Sequence, residues 1–229
     1  MEQYKEITQK IKQADAILIG ASNGLSITEG LHLFANNDEF RNLFPDFIKK
    51  YGIRNILDGL FYDFSTLEEK WGYLSRLINH YSGNYSGSKV MDDLKKIIGD
   101  KPYFVITSNG EGHFGLSGFD PLKVNEIEGN WTEFRCSNKC STETIPSIEI
   151  IRKMAEYEKD GKIPTDKIPV CPKCGGVLEL YNANPPKKGI VEEQSKFLKK
   201  YHGKKLIILE LGIGYRNQLI KAPLMRLTM

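Results

Sequence analysis

Residues 16–26 read Ala-Ile-Leu-Ile-Gly-Ala-Ser-Asn-Gly-Leu-Ser, an apolar run closed by glycine and followed at once by a polar turn. A run with no polar residue in it suits a strand buried on both faces of a parallel sheet. Upstream, Tyr4, Ile7 and Ile11 share one helical face of residues 3–13. Downstream, the apolar positions of 38–50 and 53–62 keep helical spacing. Ser65 with Glu68 three residues on forms a capping box, which predicts a helix through Trp71, Leu74 and Ile78 to about Tyr81. Residues 82–88, SGNYSGS, read as a loop, and an amphipathic helix with Val90, Leu94, Ile97 and Ile98 ends at Gly99. Tyr103–Thr107 reads as a second buried strand, and residues 123–127 as a shorter one. After a helix at 191–201, the most strand-like run of the chain, Leu206–Leu211, leads into Gly212-Ile213-Gly214.

Strands alternating with helices predict an α/β fold, a Rossmann-like parallel sheet with helices on both faces. Ligands of such sheets sit past the carboxyl ends of the strands. Polar loops containing glycine follow Ile19, Thr107 and Leu211. On a shared rim they would form a nucleotide site.

All four cysteines lie in two pairs, Cys136-x3-Cys140 and Cys171-Pro172-Lys173-Cys174, with Gly175 and Gly176 after the second. Zinc takes four thiolates in a tetrahedron, and a short-spaced pair on a glycine turn delivers two of them. Redox dithiols or scattered core cysteines are the alternative. A four-cysteine site has no open position, so the expected zinc is structural. The predicted organisation is an α/β domain formed by residues 1–135 and 175–229, interrupted by a zinc-binding module at 136–174 that contains a helix at 148–158.

The 229 residues carry 32 basic and 29 acidic side chains, a net charge of +3, with 40% apolar and 27% charged residues. That balance gives no argument for a nucleic-acid partner, and the lysine pairs 49–50, 199–200 and 204–205 read as solvated surface. The N-terminus is charged throughout, unlike a signal peptide. No stretch approaches the ~20 apolar residues of a membrane span. A cytoplasmic protein is expected, and cysteines there are metal ligands more often than disulfides.

The order of motifs, GASNGLS after the first strand, TSNGEGHF after the second, a four-cysteine insert, then LELGIG, resembles the sirtuin family from about residue 14 onward. The likeness is closer to the macrodomain-linked bacterial branch, in the form of the first loop, the x3 cysteine spacing and the ending from Glu210 through Ile220 to Pro223. That branch acts mainly by protein ADP-ribosylation of a lipoylated carrier. The resemblance implies NAD as co-substrate. Gly20, Ala21, Ser22, Gly24, Leu25 and Ser26 would wrap its phosphates, and Gly212 and Gly214 would face ribose and phosphate from the last loop. Phe34 would cover the nicotinamide, and Ser108 and Asn109 would lie beside its ribose. Glu111 stands where sirtuins have aspartate.

Departures from the family direct the functional expectation. The aspartate and arginine of the GIPDFR motif are missing from Gly30-Leu31-His32-Leu33-Phe34-Ala35, and VxELHG appears as Val124-Asn125-Glu126-Ile127-Glu128-Gly129. Glu128 thus replaces the deacylase histidine, and a carboxylate of ordinary pKa near 4.3 is a far weaker base than imidazole. It could instead stabilise the oxocarbenium-like centre or deprotonate an incoming nucleophile, both carboxylate tasks in glycosyl transfer. The FGE segment that seats an acyl-lysine peptide is absent. Family members continue beyond the counterpart of Met229 with strands that complete the adenine side, so a shortened chain or a second chain completing the site is expected.

The expected function is sirtuin-type, NAD-dependent ADP-ribosyl transfer to a protein, for which the resemblance offers a lipoylated carrier with an associated macrodomain protein, with Asn109, Glu111 and Glu128 as catalytic residues. Alternatives are NAD-dependent deacylation, NAD hydrolysis, and an NAD or ADP-ribose sensor in which Glu128 is merely solvated. His32, His80, His113 and His202 are expected in surface or loop roles.

Overall fold

A computed structural model describes residues 2–227. The chain divides into two compact units, residues 1–30, 86–129 and 182–229 in the first and residues 31–85 and 130–181 in the second. It opens in the first unit with α1 (Glu2–Gln13) and β1 (Ala16–Ala21), all six of whose residues are buried. Ser22 alone, in extended conformation, separates β1 from α2 (Asn23–Thr28).

In the second unit, α3 (Asp38–Leu43) is capped by Asn37, whose side chain accepts from Phe40 N. Pro45 breaks the helical run expected over 38–50 and starts α4 (Pro45–Tyr51), which ends on left-handed Gly52. α5 (Ile56–Leu60) follows. α6 (Leu67–Ile78) is capped by Thr66, which accepts from Glu69 N, and not by Ser65. The Thr/Glu spacing satisfies the capping pattern one residue later. A π-helical turn at Asn79–Gly83 extends α6 into the region expected as loop.

Back in the first unit come α7 (Lys89–Ile98), β2 (Tyr103–Thr107), the short α8 (His113–Leu116) and β3 (Val124–Glu126). The second unit then adds β4 (Asn130–Cys136), β5 (Ile145–Pro146), α9 (Ile148–Tyr157) and β6 (Leu178–Tyr181). The chain finishes in the first unit with α10 (Ile190–Tyr201), β7 (Leu206–Leu211) and α11 (Gln218–Arg226), a helix the sequence pattern did not single out.

The first unit holds a parallel sheet in the order β3-β2-β1-β7. Ile19 pairs with Val105 on one side and Leu209 on the other, so the three predicted strands end on one rim. Alternate residues of β1 enter different cores. Ile17 and Ile19 pack with Leu25, Met91 and Leu94, whereas Leu18 packs with Ile190, Ile220 and Leu224. Helices therefore cover both faces, as expected for a strand run with no polar alternation.

The second unit has its own antiparallel sheet, β5-β4-β6, and an aromatic core. Phe44 stacks on Tyr73 at 4.4 Å, and Trp71 meets Phe134 edge to face at 5.4 Å. Arg76 bridges Asp46 and Glu158 in this unit, holding Asp46 below the usual carboxylate range despite its partial burial. Units and cysteine spacing divide the chain differently. The compact second unit contains not only the cysteine segment but also residues 31–85, because their apolar side chains share one core. Among the described residues no helix is long and apolar enough to cross a membrane.

Candidate functional site

Parallel pairing of β1, β2 and β7 puts residues 22, 108 and 212 just past the strands' carboxyl ends. The backbone continues the ladder into the loops: Ser22 N donates to Leu211 O at 3.1 Å, and Ser108 N donates to Ala21 O at 3.2 Å. Side chains complete the link. Ser108 Oγ donates to Ser22 Oγ at 3.1 Å, and Asn217 Nδ2 donates to both hydroxyls, at 2.8 Å and 3.1 Å. Three loops distant in sequence are thereby tied together on one rim. Asn217 carries no motif in the sequence and only the fold exposes its part.

Glycine at 24 and 212 has a steric reason. Gly24 N donates to Gly212 O at 3.1 Å, and a Cβ on Gly24 would stand 2.6 Å from Gly212 Cα. Gly212 itself has φ of 65°. Gly20 differs: its missing side chain makes room for Leu224 of α11, which would lie 2.2 Å from a Cβ there. Gly214 faces open space. Ala21 and Leu25 are buried, packing in the core beneath the loop.

Asn109 is 6% exposed. Its backbone N–H donates to Thr107 Oγ1 at 3.0 Å, while its side-chain Nδ2 is buried with no hydrogen-bond partner. A buried amide left unsatisfied costs about 1–3 kcal/mol, so such a donor points to a ligand that would engage it. Asn23 Oδ1 in the first loop is in the same condition.

Glu111 is 2% exposed and accepts from Ser26 Oγ at 2.8 Å. Burial pushes its pKa up, while the charge of His113 and the Ser26 hydrogen bond oppose the rise. His113, expected in a surface or loop role, is instead 2% exposed, with Nδ1 3.2 Å from Glu29 Oε2. The reason is α8: His113 begins that short helix, and the apolar Phe114 beside it anchors the turn in the core. Glu29 stands in no motif, whereas His113 belongs to TSNGEGHF, whose loop-like sequence gives no sign of this burial beside Glu29.

Glu128 lies two residues past β3 on the same rim, where Ile127 N donates to Thr107 O at 2.9 Å. Its side chain is exposed, yet the partial screening of its carboxyl from water raises the pKa above the ordinary glutamate value. Glu126, inside the strand, is buried and paired with Lys187 at 3.2 Å. Phe34 belongs to the second unit and is 57% exposed.

In that second unit the four cysteines converge. One Sγ from each lies within 4.8 Å of the others, with Cys136–Cys174 at 3.4 Å and Cys140–Cys171 at 3.5 Å. These are far from a disulfide length and close to the about 3.8 Å edge of a tetrahedron with 2.3 Å metal–sulfur bonds. Cys136 sits at the end of β4, and the second pair sits on a turn where Cys171 N donates to Gly176 O and Gly175 N donates to Cys171 O. Backbone N–H groups of Lys173 and Cys174 aim at the Cys171 sulfur and hold its pKa down to about 7. Cys174 is lowered too, by the N–H of Gly176, while the neighbouring sulfurs, Cys171 first, push Cys140 up to about 12; four sulfurs so crowded suit a soft divalent cation.

No protein-family model matches the sequence. The chain is 32% identical over 238 residues, 99% of this chain and 74% of the relative, to a protein ADP-ribosyltransferase of Staphylococcus aureus. It is 29% identical over 221 residues to a probable bifunctional ADP-ribose hydrolase/ADP-ribosyltransferase of Fusarium oxysporum f. sp. cubense, covering 89% of this chain and 36% of that protein. Its fold is similar to that of a Sir2 homologue solved with NAD, with a TM-score of 0.51, 16% identity, and 86% and 68% of the two chains covered.

Proposed function

The chain belongs to the sirtuin-type protein ADP-ribosyltransferase family, and we propose that it breaks the nicotinamide–ribose bond of NAD and transfers ADP-ribose to an acceptor protein. The observation that carries this reading is the junction of Ser22, Ser108 and Asn217, next to the buried and unsatisfied amide of Asn109. Polar backbone and side-chain donors converge there at the rim where α/β sheets bind nucleotides.

NAD supplies the ribosyl group and a neutral nicotinamide leaving group. The chain's own residues do the rest. Asn23, Gly212 and Gly214 offer backbone N–H groups to phosphate, those of Ser22, Gly24 and Leu25 being engaged within the fold; the amide of Asn109 orients the ribose, and Glu111 is held by Ser26 for the nicotinamide end. Glu128 is exposed, so a nucleophile from another protein can reach it. Its raised pKa brings it closer to neutral pH as a proton acceptor. As the acceptor–ribose bond forms, the nucleophile's proton passes to Glu128. Cys136, Cys140, Cys171 and Cys174 hold a zinc ion that is structural and takes no step.

The acceptor we favour is a lipoylated carrier protein, with a macrodomain partner that reverses the modification. The name of the fungal relative, which joins an ADP-ribose hydrolase to a transferase, supports such a pairing. The test is incubation with adenylate-labelled NAD, using a lysate of the source organism and, separately, a carrier with and without lipoate. A labelled protein band that disappears with Asn109→Ala is expected. NAD binding without any labelled protein would overturn the transfer reading.

A further inference from the structure

Three buried ionisable side chains meet beside the glycine loop, and the scheme above uses only one of them. Glu29 ends α2, Glu111 lies on the loop after β2, and His113 opens α8. One side-chain atom of each lies within 4.8 Å of the other two. The side chains of Glu29 and His113 are 0% and 2% exposed, and Glu111 is equally dry. Other elements around them add hydroxyls. Ser88, the cap of α7, donates to Glu29 Oε1 at 2.5 Å while accepting from Met91 N, and Ser26 of α2 donates to Glu111 Oε1. The charges that bear on Glu111 are those of His113 and Glu29.

Two carboxylates this close in a dry site resist being ionised together, because neither water nor distance separates their charges. A neutral imidazole would leave that conflict in place. An imidazolium removes it, leaving one net negative charge shared among three groups and two donated hydroxyl hydrogen bonds.

We propose that His113 is a positioning residue for the transfer: as a buried imidazolium shared by Glu29 and Glu111, it keeps both carboxylates ionised and so fixes Glu111 and the Asn109 loop in their working place. This deepens the NAD reading of that loop and rests on it. His113 would touch neither NAD nor acceptor and would act only through Glu111.

The test is the pH dependence of nicotinamide release, as kcat/KM, for the wild type, His113→Gln, Glu29→Gln and the double variant. Without the imidazolium, Glu111 still faces the charge of Glu29 and takes up a proton more readily, so the acid limb of His113→Gln moves up by about one pH unit. Without Glu29, the imidazolium is no longer shared with a second carboxylate and Glu111 loses a like charge, so the acid limb of Glu29→Gln moves down. The double variant returns towards the wild type. Limbs that stay put, or move the same way in both single variants, overturn the proposal even if all rates fall, because a packing role predicts that pattern. If His113→Gln does not fold, the downward shift in Glu29→Gln decides. Nuclear magnetic resonance of labelled histidine gives a readout independent of turnover. His113 should remain an imidazolium at pH 8, and a neutral ring at pH 7 overturns the proposal. A wild type that cleaves no NAD while His113 titrates as expected would overturn the transfer reading and leave the charge array standing.

Discussion

At the scale of single residues, two glycines of one proposed site should behave oppositely. A methyl group on Gly24 meets the backbone of Gly212, which no rotamer can move aside. Gly24→Ala should cost about 1–3 kcal/mol in thermal unfolding and weaken NAD binding at least tenfold by calorimetry. Gly214→Ala meets nothing within 4 Å and should stay within about 0.5 kcal/mol of the wild type. Glu69 offers a pH test. Lys50 at 2.7 Å and Lys162 at 3.4 Å hold its pKa down to about 2 against an ordinary 4.5. A depressed carboxyl pKa stabilises the fold above the unfolded value, and the stabilisation fades as pH falls from about 4.5 towards 2. Melting temperatures of wild type and Glu69→Gln should therefore differ at pH 7 and converge through that window. Of the residues at the site, the loop glycines and Asn109 were legible because they stand at fixed offsets in motifs. Asn217 and Glu29 were not, and for His113 the TSNGEGHF motif shows the position but not the buried pairing with Glu29. Their importance comes from neighbours brought close by the sheet, and a lone polar residue carries no periodic trace of that.

At the scale of elements, β1 and β2 were readable because burial on both faces leaves an apolar run, and β7, a half-buried edge strand with Glu210 exposed, because Leu206–Leu209 is still wholly apolar. β4 and β6 escaped: Asn130–Cys136 and Leu178–Tyr181 mix polar and apolar residues, and a register shift between Asn130 and Phe134 breaks the alternation. The start of α6 was misread by one residue, since Ser65/Glu68 and Thr66/Glu69 both fit the capping pattern. Thr66→Ala should destabilise the protein by about 1 kcal/mol in chemical denaturation, with Ser65→Ala near neutral. Equal losses from the two variants would contradict the observed cap.

For the whole molecule, each unit has its own core, and the cysteines stand inside the second. Cys136 and Cys171 belong to that core as well as to the cysteine cluster. Purified protein should carry about one zinc per chain by elemental analysis. Chelation should lower the melting temperature by several degrees while an unlinked nicotinamide-cleaving step, assayed below that temperature, persists. The cysteine spacing displays the four residues that cluster but not the unit's borders. Those follow from which apolar side chains meet, and residues 31–85 meet the cysteine segment from far away in the chain.

The junction of Ser22, Ser108 and Asn217 also has a history in time. A ribosome makes the first two loops long before residue 217 exists. Until Leu206–Leu211 has emerged, β1 is an unpaired edge on one side and the rim lacks its third loop. The nascent chain therefore cannot assemble this rim early. A protein that consumes a central metabolite would gain its reactive centre only after residue 217 has left the ribosome.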